Sequence, residues 1–148
     1  MQKLITKTID LGADYRFADT AVYEQWYKVK HTHKEAKAVY GLTELNREQI
    51  KTAKIVGNAG CYTSASILAL APLVKADLID CDTIVVDAKS GISGAGRGAS
   101  LNTHFAEMYD NLKAYNVGGH RHTPEIEQAL SQLAAKEIVV SFTPHLIP

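Results

Sequence analysis

The sequence predicts a protein of mixed α and β structure, of the α/β or α+β class, on three observations. β-Branched runs alternate with stretches of helical character along the whole chain. A threonine–proline–acid signal marks one helix start without ambiguity. Glycine- and serine-rich turns separate strands from the helices after them.

The elements are read in chain order. Residues 7–11 alternate enough to form a short strand, and 12–17 leave it as a loop. Residues 21–33 hold Tyr23, Trp26 and Tyr27 on a short helix, aromatics that suit a core better than a stacking platform. Asn46 is a good N-cap for a weak helix over 46–53. Residues 54–57 form a strand. Residues 63–74 are apolar nearly all round, the pattern of a buried helix, and Pro72 should end or kink it. Residues 83–88 are a strong strand, 89–100 a Gly/Ser-rich loop, and 101–112 a helix. With Thr123 as N-cap and Pro124 at the first helical position, a helix runs to about 136. A β-branched strand over 137–143 and a Thr-Pro-His turn close the chain.

Composition narrows the function. The 148 residues suit one domain or pieces of two, and 46% apolar with 22% charged content is that of a soluble globular protein. Sixteen basic and sixteen acidic residues cancel, so no field favours nucleic acid or an anionic membrane. No apolar stretch reaches the length of a membrane span. The first seven residues carry no h-region or cleavage site, and the expected location is the cytoplasm. Both chain ends read as cuts through a larger protein.

Two cysteines are too few for a disulfide framework. Cys61 follows a short strand and the turn Asn58-Ala59-Gly60, and precedes the apolar helix. A helix N-terminus gathers unpaired N–H groups and the positive end of the dipole, which favours the nucleophilic thiolate. Asn58 offers an amide to an oxyanion. The competing reading of Cys61 is a small buried hydrophobe. Cys81, between Asp80 and Asp82, reads as inert.

His120-Arg121-His122-Thr123-Pro124 is the second cluster. A His-x-His pair suggests zinc, but no third ligand has suitable spacing, so no metal is expected. The alternative is a general acid/base before a helix N-terminus, with Arg121 for a substrate anion. A solvated polar loop is the plainer reading. The run Ser90-Gly91-Ile92-Ser93-Gly94-Ala95-Gly96-Arg97 has the order G-x-x-G-x-G, a weak dinucleotide signature but a plausible bare-backbone wall for a flat ligand. His31-Thr32-His33, among lysines, should lie on the surface.

Six segments occur together in one order. They are Asp10-Leu11-Gly12-Ala13-Asp14-Tyr15-Arg16, Val39-Tyr40-Gly41-Leu42-Thr43-Glu44-Leu45-Asn46, Asn58-Ala59-Gly60-Cys61-Tyr62, the run from Asp87 to Arg97, His120-Arg121-His122-Thr123-Pro124-Glu125-Ile126, and Phe142-Thr143-Pro144-His145-Leu146. In this the chain resembles the N-acetyl-γ-glutamyl-phosphate reductases of arginine biosynthesis. The family usually carries Asn-Pro-Gly-Cys-Tyr-Pro-Thr; here Ala59 stands for the first proline and Thr63-Ser64 for Pro-Thr, while the thiol and its preceding glycine are kept.

The resemblance implies an α+β fold. Residues 61–148 would be a truncated glyceraldehyde-3-phosphate dehydrogenase-like catalytic domain of the semialdehyde dehydrogenase dimerisation type. Residues 1–60 would be the last part of a Rossmann-type NADP-binding domain. It implies NADPH-dependent reduction of an acyl phosphate through a thioester on Cys61, with His120 as acid/base and His122 as the alternative. Asn58 and the Cys61 N–H would hold the oxyanion. Arg97, Arg121 and His122 would meet the substrate, and Ser90, Gly91, Ser93 and Gly94 the cofactor. It also implies a homo-oligomer acting on a small molecule. Three alternatives stand beside it: an aspartate-semialdehyde dehydrogenase-like reductase, a cysteine hydrolase, and a fragment that associates but catalyses nothing. Residues 1–148 alone are expected to be inactive.

Overall fold

The computed structural model describes residues 7–148; the N-terminal stretch expected to carry no leader lies, but for Lys7, outside them. The first half builds a three-stranded sheet from β1 (Thr8–Asp10), β2 (Ala38–Tyr40) and β3 (Ile55–Gly57), in the order β1-β3-β2. All pairs are parallel, with Ile9 opposite Val56 and Val39 opposite Val56. Helices α1 (Thr20–Tyr27) and α2 (Thr43–Thr52) make the crossovers that parallel strands require.

The second half builds a mixed sheet. β4 (Val85–Gly91) runs parallel to the central β6 (Ser141–Ile147), and the two-residue β5 (Lys113–Ala114) pairs antiparallel on its other side. Helices α3 (Cys61–Lys75) and α5 (Thr123–Ala134) pack together. Ile126 and Leu130 of α5 are fully buried against Phe142, Val140, Ile138 and Val74. A second cluster joins Ile67 and Ala71 of α3 to Ala129 of α5 and Leu42. Of the side chains in that second cluster, Ile67 is fully enclosed. α4 (Phe105–Met108) is a single turn.

Several expectations are corrected, each for a local reason. α1 stops at Tyr27 because Lys28 turns left-handed, with φ 57°. Asn46 does not start its helix: α2 begins at Thr43, and Asn46 sits at a break with φ −122°, its amide donating to the Tyr40 carbonyl. α3 is buried on one side only, since Leu68 and Leu73 are exposed, and it continues past Pro72 to Lys75. The predicted 101–112 helix is interrupted at His104, whose extended backbone and ring nitrogen cap the next turn at Ala106. His122, not Thr123, occupies the N-cap of α5, and Ala135 ends that helix in the left-handed region at φ 52°.

Strand limits shift too. β4 reaches Gly91, shortening the predicted loop, and residues 92–95 continue as a 3-10 turn. Residues 137–140 are not strand, because α5 side chains take their backbone groups: Ser131 Oγ accepts from Ile138 N and Glu127 from Val140 N. Pro144 lies inside β6 instead of in a turn. Its carbonyl accepts from Tyr115 N at 3.1 Å, so its missing N–H falls on the same side, where β5 is only two residues long. His31 is buried, not on the surface. Its ring lies edge-on to Tyr15 and Tyr23, and its Nε2 is 2.8 Å from the Asp14 carbonyl.

Candidate active site

A cavity of about 720 Å³ opens where the two halves meet. The loop after β1 (Leu11 to Ala13), the turn after β3 (Asn58 to Tyr62), and the segment before α5 (His120 to His122) supply most of its wall. Ser90, Gly94 and Ala95 close another side.

Cys61 is the first residue of α3, after an N-cap at Gly60, and its side chain is exposed. The strand-turn-helix sequence thus places the thiol on the open N-terminus of a 15-residue helix, beside N–H groups that have no partner within that helix. Gly60 has no room for a side chain. A Cβ there would stand 2.6 Å from His122 Nε2 and 3.0 Å from an Arg16 nitrogen.

His120 and His122 stack edge-on, ring centres 4.8 Å apart, and both rings meet the edge or face of Tyr62. Burial pushes both imidazoles down to about 4 from the ordinary 6.5. Secondary contributions come from His122 and Arg121 at His120, and from Arg16 and Arg121 at His122. Both are therefore neutral at pH 7. His120 Nδ1 accepts from His122 N at 3.1 Å, which leaves its proton on Nε2. Arg121 is exposed, its guanidinium 4.9 Å from the centre of the Tyr27 ring, where cation and π face attract.

Behind the turn lies a carboxylate that the sequence reading missed. Glu125 is fully buried. One of its oxygens accepts from Tyr40 OH at 2.7 Å, Gly60 N at 3.0 Å and Thr63 Oγ1 at 3.0 Å. The other faces Arg16 at 3.5 Å. Arg16 also donates to the carbonyls of Asn58 and Leu11. Arg16, Tyr40 and Glu125 all stood in recognisable segments, but only their convergence gives them meaning. Tyr115 was missed as well. It lines the cavity, donates to Tyr62 OH at 3.3 Å, and its hydroxyl is pushed upward by burial and by Tyr62.

The structure gathers Cys61, Asn58, His120, Arg121, His122, Ser90 and Gly94 around one cavity. Gly91 and Ser93 adjoin Ser90 and Gly94 without lining it, and Arg97 is exposed outside it. The Asn58 amide donates to the Ala59 carbonyl at 3.2 Å. Among the described residues no group of three or more His, Cys, Asp or Glu could hold a metal, and no helix is long and apolar enough to cross a membrane.

Residues 61–148 match the family model described as semialdehyde dehydrogenase, dimerisation domain. The chain belongs to that family. The semialdehyde dehydrogenase match begins on the exposed thiol itself and takes in both histidines and Glu125, while Arg16, Tyr40 and Gly60 precede it. Three relatives named N-acetyl-gamma-glutamyl-phosphate reductase align over 96% of this chain. That of Desulforudis audaxviator is 62% identical, that of Syntrophobacter fumaroxidans 59% and that of Pelotomaculum thermopropionicum 58%. The chain covers 42% of the length of each.

Proposed function

We propose that this chain carries the thiol and acid/base machinery of an N-acetyl-γ-glutamyl-phosphate reductase, which reduces its acyl phosphate to the semialdehyde. One observation carries the reading: an exposed cysteine on a helix N-terminus shares a cavity with two neutral imidazoles and an exposed arginine. The names of the relatives, at 58–62% identity, support the substrate.

Cys61 attacks the acyl carbon; the C–S bond forms and the C–OP bond breaks, releasing phosphate. NADPH, when bound, supplies the hydride that reduces the resulting thioester. The thiohemiacetal oxygen sits toward Asn58 and the first N–H groups of α3. Its collapse breaks the C–S bond and frees the semialdehyde and the thiol. His120 is the acid/base, with His122 the alternative; Nε2 already carries the proton in this arrangement, so His120 takes the thiol proton there only after its own proton shifts to Nδ1 and the His122 N–H is released. Arg121 and His122 meet the substrate's anionic groups, with Arg97 a further candidate. The cavity fits the nicotinamide, because Gly12, Ala13, Gly94 and Ala95 wall it with little more than backbone. Ser90 and Gly94 would hold it, with Gly91 and Ser93 shaping the backbone behind them. The parallel β1-β3-β2 sheet supports reading residues 1–60 as the last part of a Rossmann-type domain, followed by a glyceraldehyde-3-phosphate dehydrogenase-like catalytic domain. The protein is proposed to be cytoplasmic and to form a homo-oligomer, and the dimerisation-domain match supports the second of these.

The test is NADPH oxidation driven by N-acetyl-γ-glutamyl phosphate, in a chain of the relatives' full length. Preference for aspartyl phosphate would replace the substrate. Thioester hydrolysis without NADPH would replace the reaction.

A further inference from the structure

In a capping box, the acid at the third position of a helix reaches back to the N-cap N–H of its own helix. Glu125 holds that third position in α5, after the N-cap His122. It does not cap α5. Its carboxylate crosses to α3 and accepts the N–H of Gly60, which is the N-cap of α3. It also accepts from Thr63, the third residue of α3, whose hydroxyl is shared with the Gly60 carbonyl at 2.7 Å. The acid of one helix thus caps the other, and the capped helix begins with Cys61.

The same carboxylate joins both halves of the chain. Tyr40 at the end of β2 and Arg16 from the loop after β1 bind it from the first sheet's side. Gly60 and Thr63 bind it from α3, and its own backbone is one turn beyond His122. Arg16 offsets a charge that would otherwise be buried without a counterion. His122 Nε2 fills the space in which a Gly60 side chain would stand, so an imidazole and a carboxylate from the start of α5 both bear on the turn.

We propose that Glu125 is a positioning residue, which fixes the direction of the Cys61 thiol by capping α3 from α5 and ties that direction to the first sheet through Tyr40 and Arg16. It rests on the function proposed above only in taking Cys61 as the reacting group. Misplacement of a nucleophile by a fraction of an ångström to an ångström costs rate far more than binding.

The experiment pairs two readouts in a chain of the relatives' full length, with Cys81→Ser removing the other described thiol. One is the rate of Cys61 alkylation by iodoacetamide, which needs no substrate. The other is the kcat and KM of acyl-phosphate reduction. Glu125→Gln keeps the shape but presents an amide to Arg16. It is expected to lower kcat by about tenfold or more with KM little changed, and to change the alkylation rate at an unchanged circular dichroism spectrum. Tyr40→Phe removes one donor only and should move both readouts the same way by less. If Glu125→Gln does not fold, Tyr40→Phe decides. Wild-type kcat and alkylation rate in a folded Glu125→Gln, or in Tyr40→Phe where it decides, would overturn the proposal. Altered alkylation in a protein that never reduces the acyl phosphate would uphold the positioning and sink the assigned reaction instead.

Discussion

His122 Nε2 occupies the space that a side chain on Gly60 would need: a Cβ built there falls 2.6 Å from the nitrogen and 2.8 Å from Cε1. Contacts this short are not tolerated, so either the imidazole or the turn must yield in Gly60→Ala. The imidazole is hemmed in by Tyr62 and His120, and the turn by Glu125. Overpacking of this kind costs about 1–3 kcal/mol. Gly60→Ala is expected to lower the melting temperature and to reduce kcat by about 100-fold, because the displaced atoms adjoin the thiol. A variant with wild-type kcat would show that the turn moves freely.

The two histidines separate by substitution. With its Nδ1 accepting the His122 N–H, His120 carries its proton on Nε2, where it donates as it stands and accepts once the Nδ1 bond is broken. His120→Asn should lower kcat by about 100- to 10,000-fold, the range for removing a general acid/base. His122→Asn should act more through the shape of the Gly60 turn, with a smaller loss of kcat and a measurable loss of stability. The reverse ranking in steady-state kinetics would transfer the acid/base role to His122.

Local signals were enough for the cysteine turn and for the start of α5. The strand–turn–helix pattern at residues 54–62 and the Thr-Pro-Glu signal act over a few residues; the structure keeps the first and moves the second by one residue, with His122 at the N-cap. What failed depended on partners elsewhere. Residues 137–140 have strand composition, yet Ser131 and Glu127 take their backbone groups, and nothing local reveals that. His31 sits among lysines but is drawn inward by Tyr15 and Tyr23. Glu125 reads as an ordinary first-turn acid on α5; its bonds to Gly60 and Tyr40 span 65 and 85 residues. The cavity was legible as a set of motifs, whereas the carboxylate behind it was visible only in three dimensions.

Acid should weaken the fold through the same histidines. Their folded values lie near 4, below the ordinary 6.5 that the unfolded chain recovers. Between those limits the unfolded state binds more protons, so the stability contributed is full above pH 6.5 and is lost as the pH falls toward 4. The melting temperature should drop over that window, and the drop should be shallower in His120→Asn/His122→Asn. Parallel curves for the two proteins would mean that other groups govern the acid limb. For activity the sign is opposite in consequence: the imidazoles stay neutral well below pH 6, so they impose no loss of kcat/KM between about pH 7 and 5.5.

Among the described residues Arg121 is held by a π face and pairs with no acid, which leaves its charge for a ligand. Arg121→Ala should raise KM for the acyl phosphate by about tenfold with kcat changed less, as expected when binding common to ground and transition states is removed. Arg121→Lys should recover only part, because an ammonium lacks the planar fork for an oxyanion. A fall in kcat at constant KM would place the guanidinium on the reacting centre.

Ile67 and Leu68 are neighbours on α3 with opposite environments, and they test whether one side of that helix carries its packing. Ile67 is fully buried between Ala71, Ala129 and Leu42, while Leu68 is 39% exposed. Ile67→Ala opens a cavity where α3 meets α5 and should cost about 2–5 kcal/mol. Leu68→Ala removes surface that is already partly solvated and should cost far less, on the order of 1 kcal/mol. Denaturant melts of the two variants measure the difference. Equal losses would mean that Leu68 is covered by protein in solution, and that α3 is enclosed on the side this structure leaves open.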